Sequence, residues 1–293
     1  MVRAVGAGLG RPVFESSRPR AARVEIRSAE PGVTVSRSGP RERPPADYPG
    51  CPATVTDAES AGRTLLAPRW GLPDVLVGGA IYLALAVAVG VVLLVTEAPL
   101  SAQILLGTTI PWIGLAGWPL FATARRGNGP RIDLGLRLTW PDAGWGALAG
   151  AAGLMLAGIA ALITSLFVED LNSNAGEIAQ ELTADSNRIT MFMFAVALMV
   201  GAPIVEELFF RGLFFAALRK RGLNGLLTVL ITAVVFAGIH LEPSRFFVLL
   251  PTGIVLGWVR LKTGSTGSSM VAHGLVNAPG AILLLVGLPQ VTP

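Results

Sequence analysis

Two acidic residues and one basic residue interrupt a long apolar run in the second half of the chain, in the segment VEELFFRGLFF. Ionised groups are costly inside a membrane span, so they are functional candidates wherever they occur there. On a helix, Glu207 and Arg211 are one turn apart and can pair, whereas Glu206 is rotated by about 100°. This spacing predicts a supporting ion pair beside one free carboxylate, which suits a general base. The same three residues also fit a structural ion network.

The only two histidines of the chain, His240 and His273, both fall within apolar runs. Phe236 lies one turn before His240, and Asn277 lies one turn after His273, so each pair shares a helix face. The helical rise allows both histidines to reach a depth similar to that of Glu206. These residues can therefore converge inside the membrane, although a membrane histidine or asparagine also serves as a hydrogen bond between helices.

Apolar runs long enough to cross about 30 Å of hydrocarbon must position these residues. Of the 293 residues, 52% are hydrophobic and only 14% are charged, which favours lipid as the solvent. The sequence predicts an all-α, polytopic membrane bundle of about seven transmembrane helices. The predicted spans are residues 75–95, 103–123, 146–167, 189–218, 223–241, 246–261 and 268–288.

The N-terminal quarter of the chain has a different composition. Residues 1–70 are rich in Arg, Pro, Ser and Gly and lack a hydrophobic period, so they are predicted to be a disordered basic tail. Residues 71–293 form the predicted membrane-embedded domain. The formal net charge of the whole chain is +4, and the tail carries this excess. A basic tail before a membrane domain favours a lipid surface over a nucleic-acid partner. The single cysteine, Cys51, excludes an intramolecular disulfide.

The positive-inside rule predicts the orientation of the chain. With seven spans, the basic residues between spans fall on one side of the membrane, and the loops on the other side are acidic or short. The sequence therefore predicts a multi-pass cell-membrane protein with a cytoplasmic N-terminus. The basic residues on the predicted cytoplasmic side are Arg63, Arg69, Arg125, Arg126, Arg131, Arg137, Arg219, Lys220, Arg221, Arg260 and Lys262.

Three ordered motifs, EExxxR, FxxxH and HxxxN, resemble those of the CAAX-protease and bacteriocin-processing family of intramembrane proteases. Here they begin at Glu206, Phe236 and His273, and every signature position matches. The resemblance covers roughly residues 140–288 and makes residues 71–293 a protease-like domain. It implies that Glu206 and His240 hold and activate the attacking water. It also implies that His273 and Asn277 stabilise the oxyanion, and that Glu207, Arg211 and Phe236 support the site.

The predicted activity is therefore hydrolysis of a peptide bond by a glutamate-activated water, with a peptide or membrane protein as the substrate and lipid as the surroundings. No cofactor is favoured, but zinc is a possible one, because Glu206, His240 and His273 are also a zinc-hydrolase ligand set. No HExxH motif is present. A non-catalytic immunity or scaffold protein would share the fold. A proton-coupled transporter would also bury such residues, but no internal repeat is visible in the sequence.

Overall fold

Six long apolar helices form the body of the protein in the computed structural model, which describes residues 52–168, 171, 173–185 and 188–286. Those ranges are helical and contain no strand. The elements are α1 (Pro52–Ser60), α2 (Leu72–Val95), α3 (Leu100–Arg126), α4 (Pro130–Asp133), α5 (Trp140–Thr164), α6 (Asn174–Asp185), α7 (Arg188–Lys220), α8 (Gly225–Ile239), α9 (Phe246–Thr263) and α10 (Thr266–Leu285).

All seven predicted spans coincide with helices. Six of these helices, α2, α3, α5, α7, α9 with the 3₁₀ turn before it, and α10, are long and apolar enough to cross a membrane. The seventh, α8, has 15 residues and is only about 22 Å long at 1.5 Å per residue. The protein is therefore a multi-pass membrane protein with six candidate spans and one shorter apolar helix.

The folded part begins earlier in the chain than residue 71. Helix α1 and the segment after it pack on α4 through Ala58, Leu65 and Ile132, which are at most 6% exposed. Trp70 is fully buried, and its indole Nε1–H donates to Asp133 at 2.7 Å. The packed part of the chain therefore extends N-terminal of residue 71, because a few apolar side chains in a polar segment find tertiary partners. Residues 1–51 lie outside the described residues, and their predicted disorder stays a prediction.

Two π-helical segments in α7, Ala197–Gly201 and Leu208–Phe214, flank the two glutamates. Pro203 lies between them and has no backbone N–H, so a regular α-helix cannot continue through this position without losing a hydrogen bond. Widening of the turn before Pro203 accommodates its ring, and single π turns of this kind occur frequently at functional sites. The irregular part of α7 is therefore the part that carries Glu206 and Glu207.

Small residues bring α10 close to its neighbours. A Cβ atom added to Gly146 of α5 would lie 2.6 Å from the Ser268 carbonyl oxygen, and one added to Gly150 would lie 2.9 Å from that of Ala272. These glycines are four residues apart and form a small-xxx-small surface, which lets membrane helices approach closely. The close approach sets the position of α10, which carries His273 and Asn277.

The predicted cytoplasmic side is less uniformly basic than its sequence suggests. Arg126 forms an ion pair with Asp74, and Arg137 pairs with Asp142 at 2.7 Å. Arg260, near the end of the predicted span 246–261, does not face the cytoplasmic side as predicted. It lies within α9, is 2% exposed, and donates from Nε to the Arg211 carbonyl oxygen at 3.1 Å. The position of Arg260 near the end of an apolar run does not indicate whether its side chain faces the loop or the protein interior. Its burial was therefore not predicted from the sequence.

Candidate active site

The two neighbouring glutamates of α7 have different surroundings. Glu207 is fully buried, and its Oε1 accepts a hydrogen bond from Arg211 Nη1 at 2.8 Å. Arg211 is also fully buried, and its Nη2 donates to the Gly253 carbonyl oxygen of α9 at 3.0 Å. The Glu206 side chain is 21% exposed and forms no such pair with an arginine. The i, i+4 spacing therefore does form the predicted ion pair, and Glu206, which has no arginine partner, lines a cavity.

His273 of α10 lies between the two carboxylates. Its Nδ1 is 3.0 Å from Glu207 Oε1, and its Nε2 is 3.9 Å from Glu206 Oε2. Because an ionised carboxylate only accepts hydrogen bonds, Nδ1 carries the proton in the bond to Glu207. A neutral His273 then has an unprotonated Nε2, so donation from Nε2 requires the imidazolium form. The Glu207 carboxylate fixes the orientation of this ring.

His240 is the first residue after α8, where the last carbonyl groups of the helix lack intrahelical partners. Its Nδ1 lies 2.7 Å from the Phe236 carbonyl oxygen, which can only accept. Nδ1 is therefore the donor, and Nε2 of the neutral ring remains an acceptor. Leu241, with φ at 55°, turns the chain immediately afterwards in the left-handed region that L residues rarely adopt. The end of α8 thus holds His240 in one ring orientation and tautomer.

The Phe236 ring connects the site residues from three helices. Its centroid lies 4.8 Å from that of His240 and 5.6 Å from that of His273, in edge-to-face contacts. The Arg211 guanidinium lies 4.6 Å from the same centroid, in cation–π geometry. Phe236 is 1% exposed, so its role in the structure is to pack both histidines against the buried ion pair.

Asn277 links α10 to the first irregular segment of α7. Its Nδ2 donates to the Leu198 carbonyl oxygen at 2.9 Å. In π geometry this carbonyl would pair with the N–H five residues later, but that residue is Pro203, which has none. Asn277 therefore satisfies an acceptor that the helix itself leaves free. One amide hydrogen of Asn277 is used in this bond, and the second remains for another acceptor.

One cavity of about 480 Å³ contains all four candidate catalytic residues on its wall: Glu206, His240, His273 and Asn277. The Glu207–Arg211 pair lies behind this wall. Sequence reasoning missed the other polar residues of the cavity, which include Tyr82 of α2 and Arg245 of the turn before α9. Tyr82 lies within the first apolar run and Arg245 lies just before the sixth, and neither belongs to a spaced motif.

A second cavity, of about 490 Å³, lies on the other face of α7 and is lined mainly by apolar residues of α7 and α10, including Pro203 and Met270. It contains none of the candidate catalytic side chains, so cavity size alone does not locate the site. In the part of the chain that the structure describes, no group of three or more His, Cys, Asp or Glu side chains is placed to hold a metal ion.

Residues 188–279 match the family model described as type II CAAX prenyl endopeptidase Rce1-like. This segment is Rce1-like. The match contains all three motifs and confirms the resemblance to the CAAX-protease and bacteriocin-processing family. It implies the activity of a CAAX intramembrane protease, a peptide hydrolase. Tyr82 reaches the cavity from outside the Rce1-like segment. Comparison with curated proteins and with solved structures found no match.

Proposed function

We propose that the protein is an intramembrane endopeptidase that hydrolyses a peptide bond with a water activated by Glu206. The observation that carries this proposal is the shared cavity, where a carboxylate without an arginine partner meets two histidines and an asparagine. A structural ion network would pair both glutamates. Here only Glu207 has the arginine, and Glu206 faces a volume large enough for a peptide segment.

The attacking water binds between Glu206 and His240 in this proposal. It donates one hydrogen to the Glu206 carboxylate and the other to Nε2 of His240, which is an acceptor because Nδ1 donates to the Phe236 carbonyl oxygen. Glu206 removes a proton as the water oxygen bonds to the substrate carbonyl carbon. When the C–N bond breaks, that proton passes to the leaving amine nitrogen.

Negative charge develops on the carbonyl oxygen during the attack, and two side chains are proposed to stabilise it. Asn277 offers its second amide hydrogen, and His273 offers Nε2–H when it is an imidazolium. Both are held in place before the reaction, Asn277 by the Leu198 carbonyl and His273 by Glu207. Donors that need no reorganisation are often the largest single contribution to such catalysis.

Two alternatives use the same residues. In a zinc-dependent protease, Glu206, His240 and His273 would bind the metal, and Asn277 would only orient a ligand. In an immunity or scaffold protein, the site would bind a partner without hydrolysis. No observation favours either alternative over the glutamate-activated water, and each predicts a different response to the experiments below.

Comparative membrane proteomics would test the proposed function and reveal the substrate. Cells that carry Glu206→Gln in place of the wild-type protein should accumulate uncut membrane proteins. Glu177→Gln is the matched control, because Glu177 is exposed on α6 and its replacement should leave the processing unchanged. If no protein changes its cleavage state although Glu206→Gln is present at the wild-type level, the hydrolase proposal fails and a scaffold role is favoured.

The orientation is a second proposal: the N-terminus and the basic loops face the cytoplasm. In a Cys51→Ser background, cysteine at the exposed Arg131 should resist a membrane-impermeant thiol reagent in intact cells. Cysteine at the exposed Glu177 should react. Gly127 is unsuitable as a labelling position because an added Cβ would lie 1.8 Å from an Asp133 carboxylate oxygen. The reverse pattern would invert the proposed topology.

A further inference from the structure

The wall of the active-site cavity carries polar residues from two connecting segments in addition to the candidate catalytic residues. Ser173 and Asn174 lie at the start of α6, and Glu242 and Arg245 belong to the connection between α8 and α9. The backbone N–H of Asn174 donates to the Glu242 carboxylate at 2.8 Å and joins the two segments. Because α5 and α8 each begin beside a basic loop, the segments that follow these helices lie on the opposite side of the bundle.

Packed side chains separate the active-site cavity from the basic side of the bundle. Among the described residues, no lining residue comes from the basic loops before α5, between α7 and α8, or between α9 and α10. At the end of the cavity that faces these loops, Phe210 and Phe236 are 1% exposed, and the fully buried Arg211 guanidinium lies 5.9 and 4.6 Å from their ring centroids. The second cavity, in contrast, includes Arg137 of the loop before α5. The two cavities therefore differ in the side of the bundle that they reach.

The length of α8 explains how water reaches the cavity. This helix begins beside the basic loop after α7 and has 15 residues, so it ends roughly 8 Å short of the far surface of a hydrocarbon core of about 30 Å. His240 and the turn that follows it therefore lie at membrane depth. Backbone outside a helix occurs at this depth only where it is buried in protein or lines a water-filled cavity, and charged residues such as Glu242 and Arg245 follow the same rule. The cavity is thus a wet depression that opens on the side opposite the basic loops.

We propose that the substrate enters the active site from the side of the membrane opposite the basic loops, so that the protein cleaves extracytoplasmic segments of membrane or exported proteins. The proposal rests on the proposed function, because it names the substrate class of the same cavity. It also uses the proposed orientation, which puts the basic loops in the cytoplasm. A cytoplasmic chain would have to cross the bilayer to reach Glu206. Water for the hydrolysis enters from the same side as the substrate.

Oriented membrane vesicles test the direction of entry. The full chain is prepared in right-side-out and inside-out vesicles from the same cells, and Glu206→Gln vesicles give the background. The probe is a fluorescent, S-farnesylated peptide that ends in Cys-Ala-Ala-Leu, and a sulfonated fluorophore keeps it on the side to which it is added. Right-side-out vesicles should cleave the peptide, whereas inside-out vesicles should show no cleavage above the background. Detergent should remove the difference, because it makes both faces accessible.

A cysteine inside the cavity provides an independent measurement. Ala202 lies one turn before Glu206, is half-buried and lines the cavity. In a Cys51→Ser background, Ala202→Cys in right-side-out vesicles should react with a membrane-impermeant thiol reagent. The labelled protein should lose cleavage relative to unlabelled protein of the same variant. Val234→Cys is the matched control. Val234 is 48% exposed on α8, away from the cavity wall, and a thiol that faces lipid does not form the reactive thiolate.

The outcomes separate the direction of entry from the orientation and from the proposed function. Cleavage by inside-out vesicles alone, or equal cleavage by both intact orientations, would overturn the proposal. If Arg131→Cys also reacts in intact cells, the orientation is the step that fails, and if it stays unlabelled, the direction of entry is the step that fails. Absence of cleavage even in detergent would refute the proposed function. Labelling of Ala202→Cys would then still support entry from the outer side, and an unreactive Ala202→Cys would overturn it.

Discussion

The two sides of α7 at Glu206 and Glu207 differ in how many partners their acidic residues have. On the buried side, Glu207 contacts both Arg211 and His273 and has no exposed surface. On the cavity side, Glu206 forms no ion pair with an arginine, lies 3.9 Å from His273, and retains 21% exposure of its side chain. Neighbouring residues of one type therefore take different roles. The carboxylate that is paired with Arg211 supports the structure, and the carboxylate without an arginine is the proposed general base.

The largest expected effect on stability belongs to Glu207→Gln. The variant leaves the Arg211 charge buried without its counter-charge, and breaking a buried ion pair costs about 3–5 kcal/mol. Thermal unfolding in detergent should show a much lower transition temperature than wild type. Glu177→Gln, on the exposed side of α6, is the control and should unfold like wild type. A Glu207→Gln protein as stable as wild type would contradict the structural role assigned to Glu207.

Asn277→Ala tests the proposed catalytic role of the residues that line the cavity. If the second amide hydrogen stabilises the oxyanion, its loss should lower kcat by about 10²–10³, with little change in KM. Asn224→Ala is a matched control, because Asn224 caps α8 through the Leu227 N–H and lies outside the cavity lining. The control should lose about 1 kcal/mol of stability and keep its kcat. If the kcat of Asn277→Ala is within a few-fold of the wild-type value, Asn277 serves only as a hydrogen-bonded connection between α10 and α7.

Truncation of the N-terminus tests how much the segment before α2 contributes to stability. Deleting residues 1–51 should leave stability and activity unchanged. Deleting residues 1–65 also removes Ala58 and Leu65 from their packing with Ile132, and should cost about 2 kcal/mol of stability. The transition temperatures of the two truncated proteins measure the difference, and kcat should be unchanged in both. Equal stability would show that α1 contributes nothing to the fold, whereas loss of activity in the shorter truncation would assign a role to residues 1–51.

Chelation should have the smallest effect. If the cavity side activates water without a metal, purified enzyme should keep its rate after prolonged treatment with a strong chelator and removal of the chelator. Metal analysis of the same sample is the accompanying measurement. Inactivation by the chelator with recovery on zinc addition would establish the zinc-dependent alternative. Stoichiometric zinc that disappears in His240→Ala would support the same conclusion.

Sequence alone located the seven apolar helices, because length and composition suffice for elements whose solvent is lipid. Motif spacing also selected four residues that the structure places in one cavity. The Leu198 acceptor of Asn277 was not predictable, since it depends on a π turn before Pro203. Arg245 carries no spacing pattern of its own, and Trp70 is buried by a tertiary contact with Asp133. Sequence patterns therefore do not predict the contacts of isolated polar residues or the positions of irregular helical turns.

Cleavage of a defined peptide by purified protein tests the central claim most directly. Wild-type protein, Glu206→Gln and Glu177→Gln are compared in nanodiscs with a fluorescent, S-farnesylated peptide that ends in Cys-Ala-Ala-Leu, and mass spectrometry identifies the products. Wild type and Glu177→Gln should cleave the peptide at the same rate. Glu206→Gln should not cleave it, although it should unfold at the wild-type temperature. A Glu206→Gln protein that cleaves the peptide at the wild-type rate would contradict the assignment of Glu206 as the base.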